Sequence, residues 1–399
     1  MNTINLIATS AFGLEAVVAN ELRSLGYQDL RIENGRVAFS AGMEAVPRCN
    51  LWLRCADRLL LQVGEFEART FEELFEQTKA LPWAEWIPEA AMFPVEGKSV
   101  QSQLFSVSDC QAIVKKAIVE KLKQRYPVKW FKETGPRYRV EVSLLKNRAT
   151  LTIDTSGAGL HKRGYRKLAG EAPLKETLAA AMILLSRWRA DRAFIDPFCG
   201  SGTIPIEAGL IGRNIAPGLN REFDAEKWPQ LPAKIWQLAR AEARDSILTN
   251  QPLGIMGFDV DVQALELARY HARQAGLGNS LSFQRQPVSD LRSNYHYGFL
   301  ITNPPYGERL SEKAEVESLY RQMGIVFKDL DTWSFYVLTS HPGLEKLLGR
   351  KADKRRKLYN GRIQCTYYQF YGPKPKQLQG PFAARQIDPS SPSAPLDDK

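Results

Sequence analysis

Asn303-Pro304-Pro305-Tyr306 closes an apolar run, Phe299 to Thr302, and joins residue types that an ordinary turn has no need to combine. Two consecutive prolines end any helix or central strand, so the stretch is a loop, rigid and poor in N–H donors. One amide and one aromatic ring on such a loop suit a ligand that is planar and polar. An exocyclic amine on a heteroaromatic ring is such a group. It is also a weak nucleophile, because its lone pair is delocalised into the ring. With the Asn303 side-chain oxygen and the Pro304 carbonyl each accepting one amine hydrogen, the nitrogen is drawn toward tetrahedral geometry and its lone pair is aimed outward. Tyr306 can stack on the ring, a contact of roughly 1–3 kcal/mol. No strong general base is needed, since positioning and fixed dipoles carry most of the acceleration.

The second stretch is Asp196-Pro197-Phe198-Cys199-Gly200-Ser201-Gly202-Thr203, between an apolar strand pattern and a helical one. Gly200 and Gly202 let the backbone turn tightly and approach a ligand where a side chain would block it. A dinucleotide loop of the G-x-G-x-x-G form needs a third glycine at a position that holds Pro205, and its acidic partner lies about sixty residues on instead of about twenty. No lysine follows the glycines, so this is not a Walker A loop. An acidic residue opening the loop favours a ligand with a cationic end. Asp259, closing the next strand pattern, is placed for ribose hydroxyls, and Asp290, after the following one, to accept from an adenine amine. A loop for a methionine-like moiety with carboxylates for a ribose and an adenine describes S-adenosylmethionine.

These loops need strands to carry them. From residue 171 helical and strand periods alternate through "PLKETLAAAMILLSRW", "AFIDPF", "TIPIEAGLIG", "LGIMGFDVD", "VQALELARYHARQAG", "LSFQRQ" and "YGFLITNPP". This predicts a doubly wound α/β parallel sheet with ligands at the carboxyl ends of its strands. Ahead of it the pattern is α+β. A helix in "GLEAVVANELRSLG" is capped by Thr9-Ser10, and strands at 30–33 and 36–39 follow. Helices at 44–54 and 70–80 flank "RLLLQVGEF". "KSVQSQLFSV" reads as a strand, "SDCQAIVKKAIVEKLKQRY" as a helix capped by Ser108, and a hairpin turns at Lys146-Asn147. Residues 213–250 form an insertion with Trp228 and Trp236, and 376–399 a Pro/Ser-rich tail expected to be disordered.

The composition, 44% hydrophobic and 25% charged, is that of a water-soluble globular chain, and 399 residues exceed one ordinary core. No apolar run is long enough to span a membrane and no signal peptide is evident, which points to a cytosolic protein. Five scattered cysteines and four histidines offer neither a disulfide framework nor a metal site. The net charge of +10 is concentrated: residues 101–170 carry 15 Lys and Arg against 5 Asp and Glu, and 346–376 carry 10 against 1. Such blocks attract a phosphate backbone through counterion release. Lys115, Lys116, Lys121 and Lys123 are the candidate RNA contacts in the first block, and a chain beginning near residue 160 should bind cofactor but little RNA.

"DPFCGSGT" with "NPPYGERL", preceded by "IDTSGAGLHKRGYR" and "APLKETLAAA" and by "LFSVSDCQAIVKKAIVEKLK", resembles the THUMP-containing class I RNA methyltransferases, and within them the bacterial guanine-N(2) group. The resemblance covers about residues 1–375. It implies a ferredoxin-like unit at 1–45, a THUMP RNA-binding domain at 45–155 and a Rossmann-like methyltransferase domain at 160–375. It places Asp196 to Thr203, Asp259, Asp290 and Asn303 around S-adenosylmethionine, Asn303, Pro304, Pro305 and Tyr306 at the target base, and Arg163, Gly164, Tyr165 and Arg166 near cofactor or RNA. It implies methylation of the guanine exocyclic amine, in ribosomal RNA before transfer RNA. Adenine in RNA or DNA is the alternative target, and a non-catalytic RNA-binding scaffold the alternative of another class.

Overall fold

The computed structural model describes residues 3–166, 174–307 and 310–375, so the tail expected to be disordered lies outside the described residues. Two compact units emerge: Met1–Leu185 with Arg213–Thr249 and Leu358–Arg362, and Ser186–Gly212 with Asn250–Lys357 and Ile363–Lys399.

The first unit is built on one seven-stranded sheet, β1 (Ile4–Ser10), β2 (Arg31–Glu33), β3 (Arg36–Ala41), β4 (Ala56–Glu67), β5 (Val95–Val100), β6 (Arg139–Leu145) and β7 (Arg148–Asp154), in the order β2-β3-β1-β4-β7-β6-β5. Only β5 and β6 pair in parallel. Its helices are α1 (Glu15–Ser24), α2 (Ala45–Trp52), α3 (Phe71–Ala80), α4 (Trp83–Trp86) and α5 (Val107–Lys123). In α5 the buried residues Cys110, Val114, Ala117, Ile118 and Leu122 stand at i, i+4, i+7, i+8 and i+12, the stripe that seats the helix on its sheet.

Three local expectations are corrected. Thr9 and Ser10 close β1 and do not cap α1, whose first turn is held by Glu15 accepting from the amides of Gly13 (2.9 Å) and Gly35 (2.8 Å). β5 stops at Val100, because Gln101 turns through a φ of 50° and Ser99 bonds forward to the Leu104 carbonyl at 2.6 Å. The residue before α5 is Ser106, not Ser108.

The second unit is a doubly wound sheet of β8 (Phe194–Asp196), β9 (Ile255–Asp259), β10 (Ser282–Arg285), β11 (Phe299–Thr302), β12 (Ser334–Thr339), β13 (Lys354–Asn360) and β14 (Ile363–Phe370), ordered β10-β9-β8-β11-β12-β14-β13. The five strands from β10 to β12 are parallel, and β14 runs against β12. Its helices are α7 (Thr203–Gly212), α9 (Val262–Gln274), α10 (Leu310–Asp329) and α11 (Leu344–Leu348), whereas α6 (Glu176–Ser186) up to Leu185 and α8 (Ala233–Asp245) fall in the first unit. The chain adds β9 and β10 on one side of β8 and β11 and β12 on the other, so the winding reverses between β8 and β11. Ligands of such sheets sit outside that switch point.

The insertion belongs to the first unit although it interrupts the second. Trp228 is buried and stacks on Tyr138 with ring centroids 4.4 Å apart, its indole N–H donating to the Arg137 carbonyl at 2.9 Å. Gln230 accepts from the Tyr138 hydroxyl at 3.0 Å and donates to the Trp86 carbonyl at 2.7 Å. Arg221 gathers the carbonyls of Ser156 and Gly159, at 3.2 and 2.7 Å.

Candidate active site

Three of the five parallel strands lead into a residue that the sequence singled out. β8 ends in Asp196, β9 in Asp259, and Asn303 follows β11 directly. Because neighbouring parallel strands put their carboxyl ends on one edge, these side chains line that edge side by side. Asp290, in the turn after β10, stands on the same side, exposed, with its Oδ1 accepting from the Ser289 hydroxyl at 3.0 Å.

The glycine loop is held by the carboxylate of the next strand. Asp259 Oδ2 accepts from the Gly200 amide at 2.8 Å, and Oδ1 from the Asp261 amide at 3.0 Å, while the Cys199 amide bonds the Phe258 carbonyl at 2.9 Å. Gly200 has a φ of 50° and open space where a side chain would start. Gly202 has a φ of 83°, and a Cβ there would fall 2.9 Å from that of Ala268, so backbone angle and space both demand glycine. Pro197 and Phe198 carry the chain from Asp196 into this turn, and Ser201 and Thr203 lead out of it into α7. Burial pushes the Cys199 thiol well above the usual range, which makes it a small apolar filler beside the loop.

Asp196 is buried. Its Oδ1 accepts from the Thr302 hydroxyl at 2.6 Å and from the Phe198 amide at 3.2 Å. Burial pushes its carboxyl up to about 7 against the pull of those two donors, and Asp259 adds to the rise. A carboxylate desolvated in this way gains most from a cationic ligand group. The loop clearance, the buried carboxylate and the two further carboxylates at successive strand ends fit S-adenosylmethionine.

In the second loop the Tyr306 hydroxyl donates to Asn303 Oδ1. Pro304 is buried and Pro305 exposed, and the Tyr320 hydroxyl of α10 donates to the Pro305 carbonyl at 2.8 Å. Tyr320 also shares a 2.8 Å hydrogen bond with the Thr339 hydroxyl. Thr302 and Tyr320 are the residues sequence reasoning missed. Thr302 was legible only as strand, and nothing marks a tyrosine fifteen positions beyond Pro305 as its partner.

The expected RNA contacts fare differently. Arg163 is 3% exposed and donates to the carbonyls of Leu160 (2.9 Å) and Arg54 (2.5 Å), and Arg166 pairs with buried Glu176 at 3.2 Å. Arg163 is thus buried within the first unit and Arg166, half-buried, is held by an ion pair there. Between them, Gly164 turns through a φ of 93° and Tyr165 is buried. The four lysines of α5 do not form one stripe. At about 100° per residue, Lys116 and Lys123 share a face, and Lys121 lies well round the helix. Lys115 pairs with Glu133 at 2.5 Å and donates to the Phe93 carbonyl at 2.9 Å, so it braces the domain. Among the described residues no group of three or more His, Cys, Asp and Glu is placed to hold a metal ion, and no helix is long and apolar enough to cross a membrane.

Three family models match the chain in succession: the RlmL ferredoxin-like domain over residues 5–60, the THUMP domain over 68–154, and the RMKL-like methyltransferase domain over 163–369. The chain is 53% identical over 373 residues to YpsC of Bacillus subtilis (strain 168), named as a candidate RNA methyltransferase, with 93% of this chain and 97% of that one covered. It is 36% identical over 381 residues to the ribosomal RNA large subunit methyltransferase K/L of Syntrophotalea carbinolica, covering 92% of this chain but 53% of that one, so it spans about half the length of that relative. Among solved structures, a Listeria monocytogenes protein described as a predicted N6-adenine-specific DNA methylase is 54% identical with a TM-score of 0.90, covering 94% and 97% of the two chains. SMU.472, described as a candidate methyltransferase and solved in complex with SAH, is 48% identical with a TM-score of 0.89, covering 94% and 100%. The chain therefore belongs to the RMKL-like methyltransferase family, a class I α/β enzyme that takes its methyl group from S-adenosylmethionine and carries RlmL-type ferredoxin-like and THUMP domains ahead of its catalytic sheet.

Proposed function

We propose that this protein methylates the exocyclic amine of guanine in RNA, with ribosomal RNA ahead of transfer RNA as substrate. The observation that carries the reading is the side-by-side placement of Asp196, Asp259 and Asn303 at the ends of adjacent parallel strands, Thr302 bonding Asp196 from the strand that leads into Asn303. S-adenosylmethionine, when bound, supplies an electrophilic methyl on a sulfonium. Asp196 then meets its ammonium end, Asp259 its ribose and Asp290 its adenine. Asn303 Oδ1 has two lone pairs; the Tyr306 hydroxyl takes one, which leaves the other for an amine hydrogen. The Pro304 carbonyl takes the second hydrogen, and the Tyr306 ring lies against the base. The segment taken from about 45 to 155 offers the RNA surface, and that from about 160 to 375 performs the transfer. The THUMP match and the names of the relatives support RNA; the basic block at 101–170 supports it independently.

A second reading, adenine N6 methylation, is favoured by one observation: an adenine amine presents the same two hydrogens to Asn303 and Pro304, and a Listeria relative is described in those terms. Purified protein with radiolabelled S-adenosylmethionine, total RNA and DNA decides between them. Label recovered in N2-methylguanosine supports the proposal, label in N6-methyladenine replaces it, and absence of label in any nucleic acid leaves a scaffold. Asn303→Ala should lose about a hundredfold or more in transfer rate while still binding S-adenosylhomocysteine, since it removes an acceptor matched to the transition state. Turnover of that variant near the parent's rate would remove Asn303 from the mechanism.

A further inference from the structure

The loop that follows α5 carries an aromatic ring that folding leaves in water. Trp130 is 82% exposed, whereas its neighbour Phe131 is buried edge-on against Phe93 and Tyr126, with ring centroids 6.0 and 6.4 Å away. The loop itself is not loose. Glu133 turns through a φ of 50°, pairs with Lys115 at 2.5 Å and accepts from the Phe93 amide at 3.2 Å, and the Gly135 amide bonds the Ala90 carbonyl at 2.6 Å. Lys115, expected from the sequence to contact phosphate, is thus the pin that holds this loop. Residues 121–132, "KLKQRYPVKWFK", contain five Lys and Arg and no Asp or Glu. Lys129 and Lys132 on either side of the ring are exposed, and neither has an ion-pair partner among the described residues.

We infer that Trp130, flanked by Lys129 and Lys132, is a stacking subsite for an unpaired RNA base. The inference rests on the RNA reading above and extends it to one residue. An indole face held out by a braced loop loses little conformational freedom on contact, and cations beside it attract the phosphates that adjoin any base. Stacking needs a free π-face, which bases inside a duplex do not offer, so the subsite selects single-stranded segments with little regard to sequence. A protein partner would be met by apolar neighbours around the ring. Here Phe131 is turned inward, and the exposed residues on either side of the ring in sequence are Lys129 and Lys132.

The test uses the full chain and a fluorescent single-stranded RNA of about twelve nucleotides, with a duplex of the same sequence for comparison. Trp130→Ala should weaken single-strand binding roughly five- to a hundredfold, the span of base–aromatic stacking, and Trp130→Phe should restore most of it. Duplex affinity should change little. Lys129→Gln with Lys132→Gln should weaken both ligands and flatten the salt dependence. An unchanged melting temperature shows that each variant is folded. If the parent binds single-stranded RNA and Trp130→Ala binds it equally well, the subsite is wrong and the RNA reading stands. A parent that binds no RNA overturns both. Loss of self-association in Trp130→Ala with RNA binding intact assigns the ring to a protein contact and overturns the subsite.

Discussion

A carboxylate buried at the end of β8 gives the cofactor site a pH dependence. The Asp196 carboxyl stands at about 7 against an ordinary 3.8, so between those values the folded chain holds a proton that the unfolded chain has released. Stability of the ligand-free protein should therefore fall as pH rises through that window. Binding runs the other way, since an ammonium group is met by the ionised form. Affinity for S-adenosylhomocysteine should weaken below about pH 7, by up to roughly tenfold per unit, and calorimetry on the parent and on Asp196→Asn, whose profile should be flat, checks it. The loop around the target base is held by a second residue-scale device. A carbonyl can only accept, so Tyr320 donates to Pro305; its proton is then spent, and Thr339, which accepts from the His341 amide at 3.0 Å, must donate to Tyr320. Every proton in this chain of bonds has one direction. Tyr320→Phe should cut kcat by up to about tenfold and leave KM for S-adenosylmethionine unchanged, the loss expected for one hydrogen bond that aims a loop. Steady-state kinetics separate the two constants.

Helix α5 shows how one element divides its charges between two tasks. Its buried stripe seats it, which leaves Lys116 and Lys123 on a shared exposed face and turns Lys115 toward Phe93 and Glu133. Neutralising the four lysines together, as charge alone suggests, mixes a structural effect with an electrostatic one. Lys115→Gln should lower the melting temperature of the first unit and leave the salt slope of RNA binding unaltered. Lys116→Gln with Lys123→Gln should do the reverse, reducing the slope by about one for each phosphate that is no longer neutralised. Thermal melts and binding at several salt concentrations read the two effects apart.

For the whole molecule, domain boundaries along the sequence and units in space do not coincide. The 213–249 insertion interrupts the catalytic sheet, yet it buries Trp228 against Tyr138 and pairs Gln230 with that residue's hydroxyl in the first unit. A chain beginning near residue 160 therefore loses more than RNA affinity. It strips Tyr138 from Trp228 and leaves the insertion's apolar side exposed, a liability for association. Such a chain should elute as an aggregate in size-exclusion chromatography, whereas deleting 213–249 along with 1–160 should improve its behaviour. A monodisperse chain from residue 160 would show that the insertion can close on itself.

What the sequence determined by itself is the set of local facts that short stretches encode. Alternation of strand and helix periods after residue 171 dictates a parallel sheet, parallel strands bring their carboxyl ends together, and Asp196, Asp259 and Asn303 were legible as the residues at those ends. The turn at Lys146-Asn147 was legible for the same reason, since both residues adopt a positive φ within one hairpin. What only the tertiary structure decided are pairings across long separations: Thr302 with Asp196, Tyr320 with Pro305, Lys115 with Glu133, Trp228 with Tyr138, and the burial of Arg163. A period in the sequence says which face of an element is apolar. It carries no record of which distant face it meets, and a cation drawn to solvent in one packing is drawn to a buried carbonyl in another, because desolvation and partner are properties of the assembled core.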